Sequence, residues 1–97
     1  GGLRIEDPAT DLAILSALLS SFEDTALPHH ICFAGEIGLS GEIRAVNRIE
    51  QRIAEAEKLG FEKIYISKYN KKSAAAFRGS IEIINLGRVD ELYRHLF

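Results

Sequence analysis

Glu36 and Glu42 stand on either side of a glycine-rich turn, and paired carboxylates of this kind can divide acid and base work between them. No nucleophile or metal ligand accompanies them in the chain, so they read as solvated charges flanking the turn. Cys32 is a nucleophile by residue type, but its neighbours Ile31, Phe33 and Ala34 are apolar. A free cysteine in such company reads as a small core hydrophobe. His29 and His30 are adjacent; in an extended segment neighbouring side chains leave on opposite faces and cannot share a metal. His95 falls near the end of a C-terminal helical pattern, where the negative helix pole favours a cation. Two basic groups remain. Arg44, Arg48 and Arg52 surround the start of a central helix, with Arg48 and Arg52 spaced i,i+4, and Lys68, Lys71 and Lys72 crowd a polar stretch. Clustered Arg and Lys can hold nucleic-acid phosphates without reading bases, and the alternative for both groups is salt bridging, subunit contact or a solvated face.

These residues are positioned by a plan that alternates strand and helix. Gly1–Ile5 reads as the tail of a strand and suggests that the chain is truncated at its N-terminus. Asp7-Pro8 starts a helix, with Asp at the N-cap and Pro at the first helical position. That helix runs to about Phe22 and is apolar over most of its circumference, which predicts burial on more than one side or cover from a missing segment or a neighbouring subunit. Glu23 to Pro28 is a surface loop, and His30 to Gly35 carries apolar groups on both parities, as an inner strand does. Gly38 and Gly41 bracket Leu39-Ser40 in a hairpin turn, and Ile31, Phe33, Ile37 and Leu39 are expected on one face of the extended chain. The central helix is delimited by an Asn47-x-x-Glu50 capping pattern and by Gly60 as a left-handed C′ residue, with Phe61 packing back. Lys63–Ser67 is a strand, Lys68–Ser80 a flexible basic loop with a helical turn near Ala74–Phe77, Ile81–Leu86 a strand, and Val89–Leu96 a helix.

The order of elements gives an α/β domain of about four strands and three or four helices. With 97 residues, 46% of them hydrophobic, the chain can build one small core. No apolar run approaches the ~20 residues of a membrane span, and the Gly-Gly start has no basic signal-peptide region. The single cysteine excludes an internal disulfide or a multi-cysteine zinc site and fits a reducing cytoplasm. The net charge of −2 hides an asymmetry: residues 1–43 carry one basic side chain against seven acidic, and residues 44–97 eleven against seven. Such a split permits a basic surface on an acidic protein.

The stretch GGLRIEDPATDLA from Gly1 to Ala13, Ser20-Ser21, and GEIGLSGEIR from Gly35 to Arg44 resemble the C-terminal domain of the RadA (Sms) family of bacterial DNA repair proteins. That domain is similar in turn to the proteolytic domain of Lon, and the resemblance spans essentially the whole chain. It implies the ribosomal-protein-S5-domain-2-like fold, of the α+β two-layer kind. It also implies a hexameric ring acting in recombinational repair and branch migration, and upstream domains that would hold a zinc motif and an ATPase with its ATP and magnesium. No Gly-x-x-x-x-Gly-Lys-Ser/Thr loop occurs in these residues, so none of those cofactors is expected here.

An active Lon domain uses a serine, in a Gly-Pro-Ser-Ala-Gly stretch that opens a helix, activated by a lysine just after the hairpin. The resemblance places Ala9 at the serine and Glu50 at the lysine. Ala9 has no hydroxyl, Thr10 lies about 100° further round the helix, and a carboxylate cannot act as a neutral lysine base. The resemblance therefore implies a proteolytically inactive scaffold that self-associates and contacts duplex DNA through phosphates. The alternative is the peptidase domain of an ATP-dependent serine protease. For the DNA contact the candidates are Arg44, Arg48, Arg52, Lys68, Lys71 and Lys72.

Overall fold

A computed structural model describes residues 7–97 of the chain; the strand expected over Gly1–Ile5 lies outside the described residues. A 3-10 turn at Pro8–Thr10 leads into α1 (Asp11–Glu23), followed by β1 (Ile31–Ala34), β2 (Glu36–Ile37), β3 (Ile43–Arg44), α2 (Ile49–Lys58), β4 (Lys63–Ser67), α3 (Lys71–Ala74), β5 (Glu82–Leu86) and α4 (Val89–Leu96). Strands β1, β4 and β5 form a parallel sheet in the order β1-β4-β5, with Cys32 opposite Ile64 and Tyr65 opposite Ile84. A separate antiparallel hairpin pairs β2 with β3. Parallel strands need crossover connections, and helices supply them here.

The α/β class expected from the alternation of elements holds, and helices lie on both faces of the sheet. The period of two in β4 divides the core. Ile64 and Ile66 face a cluster with Ile49, Ile53 and Ala56 of α2 and Ala74 of α3. Tyr65 faces another with Leu12 of α1, Ile31, Ile43, Leu86 and Leu92 of α4. Six of these side chains, Leu12, Ile43, Ile53, Ile66, Leu86 and Leu92, are at most 1% exposed, and each such burial contributes about 1.5–3 kcal/mol before entropy is counted.

Among the described residues β4 lies between β1 and β5, and β1 pairs with β4. Several expectations are corrected. Leu39 does not share the face of Ile31, because the chain changes sheets after Gly35; Leu39 sits fully exposed at the hairpin tip. His29 and His30 lie in a turn rather than an extended segment, and their rings meet edge to face at 6.0 Å. Asn47 is not the N-cap of α2. Arg48 holds that position in a left-handed conformation (φ 56°) with no side-chain cap, so Glu50 has no capping partner in Asn47. The stretch after β4 is not a loose loop: Lys68–Asn70 is a 3-10 turn running directly into α3, with Ser67 capping it by accepting from the Tyr69 N–H. Helix α1 is not buried all round. Leu12 and Ser16 are enclosed, whereas Ile14, Leu18 and Phe22 are 56%, 62% and 87% exposed, and their i,i+4,i+8 spacing makes one stripe.

Other ends follow the sequence closely. Asp7 caps the first turn by accepting from the Ala9 N–H at 3.1 Å. Gly60 takes φ 98°, with the Phe61 N–H reaching the Ala56 carbonyl and the Gly60 N–H that of Glu57. This pair of bonds closes α2 as a Schellman motif.

Candidate functional site

Ala9 is locked where the first helix meets the sheet. Its carbonyl accepts from the Gly35 N–H, and the Gly35 carbonyl accepts from the Leu12 N–H, both at 3.0 Å. The residue is 3% exposed and presents only a methyl group to a cleft of about 570 Å³ between α1, β1 and α2, lined also by Thr10, Phe33, Arg48, Arg52 and Phe61. The nearby hydroxyl is spent, since Thr10 Oγ1 donates to the Asp7 carbonyl at 2.9 Å. Glu50 is exposed on the first turn of α2 and is not among the residues lining that cleft. Ala9, Thr10 and Glu50 thus bring no free nucleophile and base together.

Cys32 lines the same cleft, with its sulfur 3.6 Å from the Lys63 carbonyl. Burial pushes its thiol up to about 11, which disfavours the thiolate near neutrality. Glu42 is a turn brace. Its carboxylate accepts from the Ser40 N–H at 3.0 Å and pairs with Arg44 at 3.1 Å. Its own backbone N–H, and after it the Arg44 hydrogen bond and the Ser40 N–H, hold its carboxyl below the usual range, with desolvation opposing them. This carboxylate lies where a Cβ at Gly38 would stand. Glu36 lies opposite Arg44 in the hairpin register. His95 is exposed on α4, its ring edge-on to Tyr65. Among the described residues no group of three or more His, Cys, Asp or Glu side chains converges as a metal site.

The six basic candidates fall into two groups that the fold treats differently. Arg52 makes a two-pronged pair with Asp7, at 2.9 and 3.2 Å, while also donating to the Asn47 carbonyl and side chain at 2.8 and 3.0 Å. This guanidinium ties α2 to the entry of α1, and its hydrogen bond, ahead of that from the Ala9 N–H, lowers the Asp7 pKa. Arg44 is committed to Glu42. Arg48 is exposed beside them and lines two clefts with Arg52. The lysines sit on the turn after β4 and on α3. Lys71 and Lys72 are exposed on α3, and the Lys68 ammonium lies 5.2 Å over the Tyr69 ring.

What holds the lysine segment escaped sequence reasoning. Asn70, 5% exposed, accepts from the Val46 N–H at 2.9 Å and donates to the Val46 carbonyl at 3.0 Å. Ser67, fully buried, donates to the Ile43 carbonyl at 2.8 Å. All three bonds join residues 24 apart in sequence, and the Asp7–Arg52 pair joins residues 45 apart, so no local pattern marks them.

The fold thus defines an α/β domain in which a three-stranded parallel sheet and a separate antiparallel hairpin are joined by helices. The chain belongs to the Lon protease (S16) C-terminal proteolytic domain family, whose family model matches residues 1–97. It is 45% identical over 97 residues to the DNA repair protein RadA of Streptococcus pneumoniae, covering all of this chain and 23% of that protein. It is 46% identical over 94 residues to the DNA repair protein RadA of Bacillus subtilis, covering 97% of this chain and 20% of that protein. Over 71 residues it is 51% identical to the DNA repair protein RadA of Listeria monocytogenes, covering 73% of this chain and 16% of that protein. The chain therefore spans about a fifth of the length of these curated relatives. No helix among the described residues is long and apolar enough to cross a membrane.

Proposed function

We propose that this domain is a proteolytically inactive scaffold of a RadA-type, ATP-dependent DNA repair and recombination protein, cytoplasmic, in which it supports assembly into a ring and contact with duplex DNA. The observation that carries the inactive reading is Ala9: the methyl group in the cleft has no oxygen to attack a carbonyl, the Thr10 hydroxyl beside it is bonded to Asp7, and Glu50 points its carboxylate to solvent. ATP hydrolysis belongs to other parts of such a protein. The repair role rests on the likeness to proteins named for DNA repair. Turnover of unfolded casein by the full-length protein is the test, with no cleavage expected; cleavage abolished by a serine-directed inhibitor sinks the reading in favour of a peptidase.

Assembly draws on the α1 stripe of Ile14, Leu18 and Phe22, since large apolar side chains aligned on one helix face favour burial against another chain. Sedimentation of the full-length protein carrying Leu18→Glu and Phe22→Glu should show a smaller species than wild type, and an unchanged profile removes this surface from the interface. DNA contact is through phosphates, with Arg48, Lys68, Lys71 and Lys72 as the cations best placed to give it. Arg44 and Arg52 would first have to leave Glu42 and Asp7.

A further inference from the structure

Between Glu62 and Glu82 the chain carries Lys63, Lys68, Lys71, Lys72 and Arg78 and no acidic residue. Lys63 is paired with Glu82. The segment that follows β4 is fixed from below by Ser67 and Asn70, so its outer side chains are presented on a rigid base. Two carboxylates that reach its flanks are occupied: Glu57 Oε1 accepts from the Ser80 and Ile81 N–H groups at 2.7 and 2.8 Å, and Glu91 Oε1 from those of Gly87 and Arg88 at 2.9 Å. In the middle of this positive surface stands Tyr69, 65% exposed, with the Lys68 ammonium over its ring. An exposed ring offers a π-face to a partner, and the exposed Lys71 and Lys72 follow Tyr69 closely along the chain.

We infer that Tyr69, flanked by Lys68, Lys71 and Lys72, is a stacking platform for an unpaired base, so that this surface favours single-stranded over duplex nucleic acid. The inference rests on the proposed phosphate contact and deepens it. Duplex bases are already stacked and offer a ring on the outside of a helix nothing but backbone, whereas an unpaired base can lie on the tyrosine while lysines hold the phosphates beside it. Every base has a π-face, so the contact carries little sequence preference. The ring, not the hydroxyl, supplies it, and no counterion is released by stacking.

The experiment uses the full-length protein, a fluorescein-labelled oligo-dT strand and a mixed-sequence duplex of equal length, titrated at several salt concentrations. Tyr69→Leu should weaken oligo-dT binding about five- to tenfold, the low end of what base–aromatic stacking gives. It should leave duplex affinity and both salt slopes unchanged, and Tyr69→Phe should bind as wild type. The pair Lys71→Glu, Lys72→Glu should weaken both probes and flatten the duplex salt slope by about 1.8, two phosphate contacts' worth. If the lysine pair acts and Tyr69→Leu does not, or if Tyr69→Leu weakens both probes equally, the stacking inference falls while phosphate contact stands. If neither alters binding of either probe, the surface does not face nucleic acid and both readings fall; altered sedimentation in that case marks it as a protein interface.

Discussion

The two basic groups differ in what surrounds them. Arg44 and Arg52 are each met by a carboxylate, and Arg52 is further held by Asn47, so their charge is used to brace the hairpin and to join α2 to the first turn. The lysines after β4 have no ion pair among the described residues and stand on a base fixed by neutral hydrogen bonds, those of Ser67 and Asn70. The two braced arginines and the three lysines thus do opposite work. A guanidinium fork matched to a carboxylate and a carbonyl is architecture, whereas free ammonium groups on an acid-free segment remain available to a polyanion.

The largest effect that would sharpen this contrast lies beneath the lysines. Asn70→Ala leaves the Val46 N–H and carbonyl without partners and should cost about 2–3 kcal/mol of stability, read from urea unfolding. A loss below about 0.5 kcal/mol would mean that water takes over these bonds and that the segment is not rigidly held.

A smaller effect separates the groups directly. Arg52→Ala should cost about 1 kcal/mol, a value kept low because Asp7 is 43% and Arg52 26% exposed in side chain and solvent screens such a pair. Lys71→Ala and Lys72→Ala should stay within about 0.5 kcal/mol. Equal costs in the two groups would break the distinction between brace and open surface.

The subtlest effect is on pH. Hydrogen bonding to Arg52, then to the Ala9 N–H, depresses the Asp7 pKa. Its contribution is therefore complete above the unfolded carboxyl value of about 3.9 and is lost as pH falls through the lower folded value. Asp7→Asn should remove part of the acid-side fall in urea midpoint below pH 4. An acid limb as steep as that of wild type would show that the pair does not couple to folding.

Much of the frame was legible because its causes are local. Asp7-Pro8 begins a helix wherever the chain goes next, Gly38 and Gly41 turn a hairpin, and Gly60 closes α2 because only a residue without Cβ takes φ 98° cheaply. The alternation of strand and helix gave the α/β class, and the missing hydroxyl at Ala9 is a fact of residue type alone. The site was less legible. Asn47 has the right neighbours for an N-cap, yet its oxygens are taken by Arg52 and the helix begins one residue later on a left-handed Arg48. Lys68–Ala74 looked like a loop because the bonds that fix it, through Ser67 to Ile43 and Asn70 to Val46, come from β3 and its exit. Helix α1 was apolar nearly all round by sequence, but only packing could choose which side met the sheet and leave Ile14, Leu18 and Phe22 outside. Sequence alone determined most of the elements, the ends at Asp7-Pro8 and Gly60, and the methyl group at position 9, since these depend on residue type or on residues a few positions apart. Arg44 finds its brace two residues away in Glu42, but the Asp7 that holds Arg52 is 45 residues distant and the bonds beneath the lysines span 24, and only the closed fold brings those together.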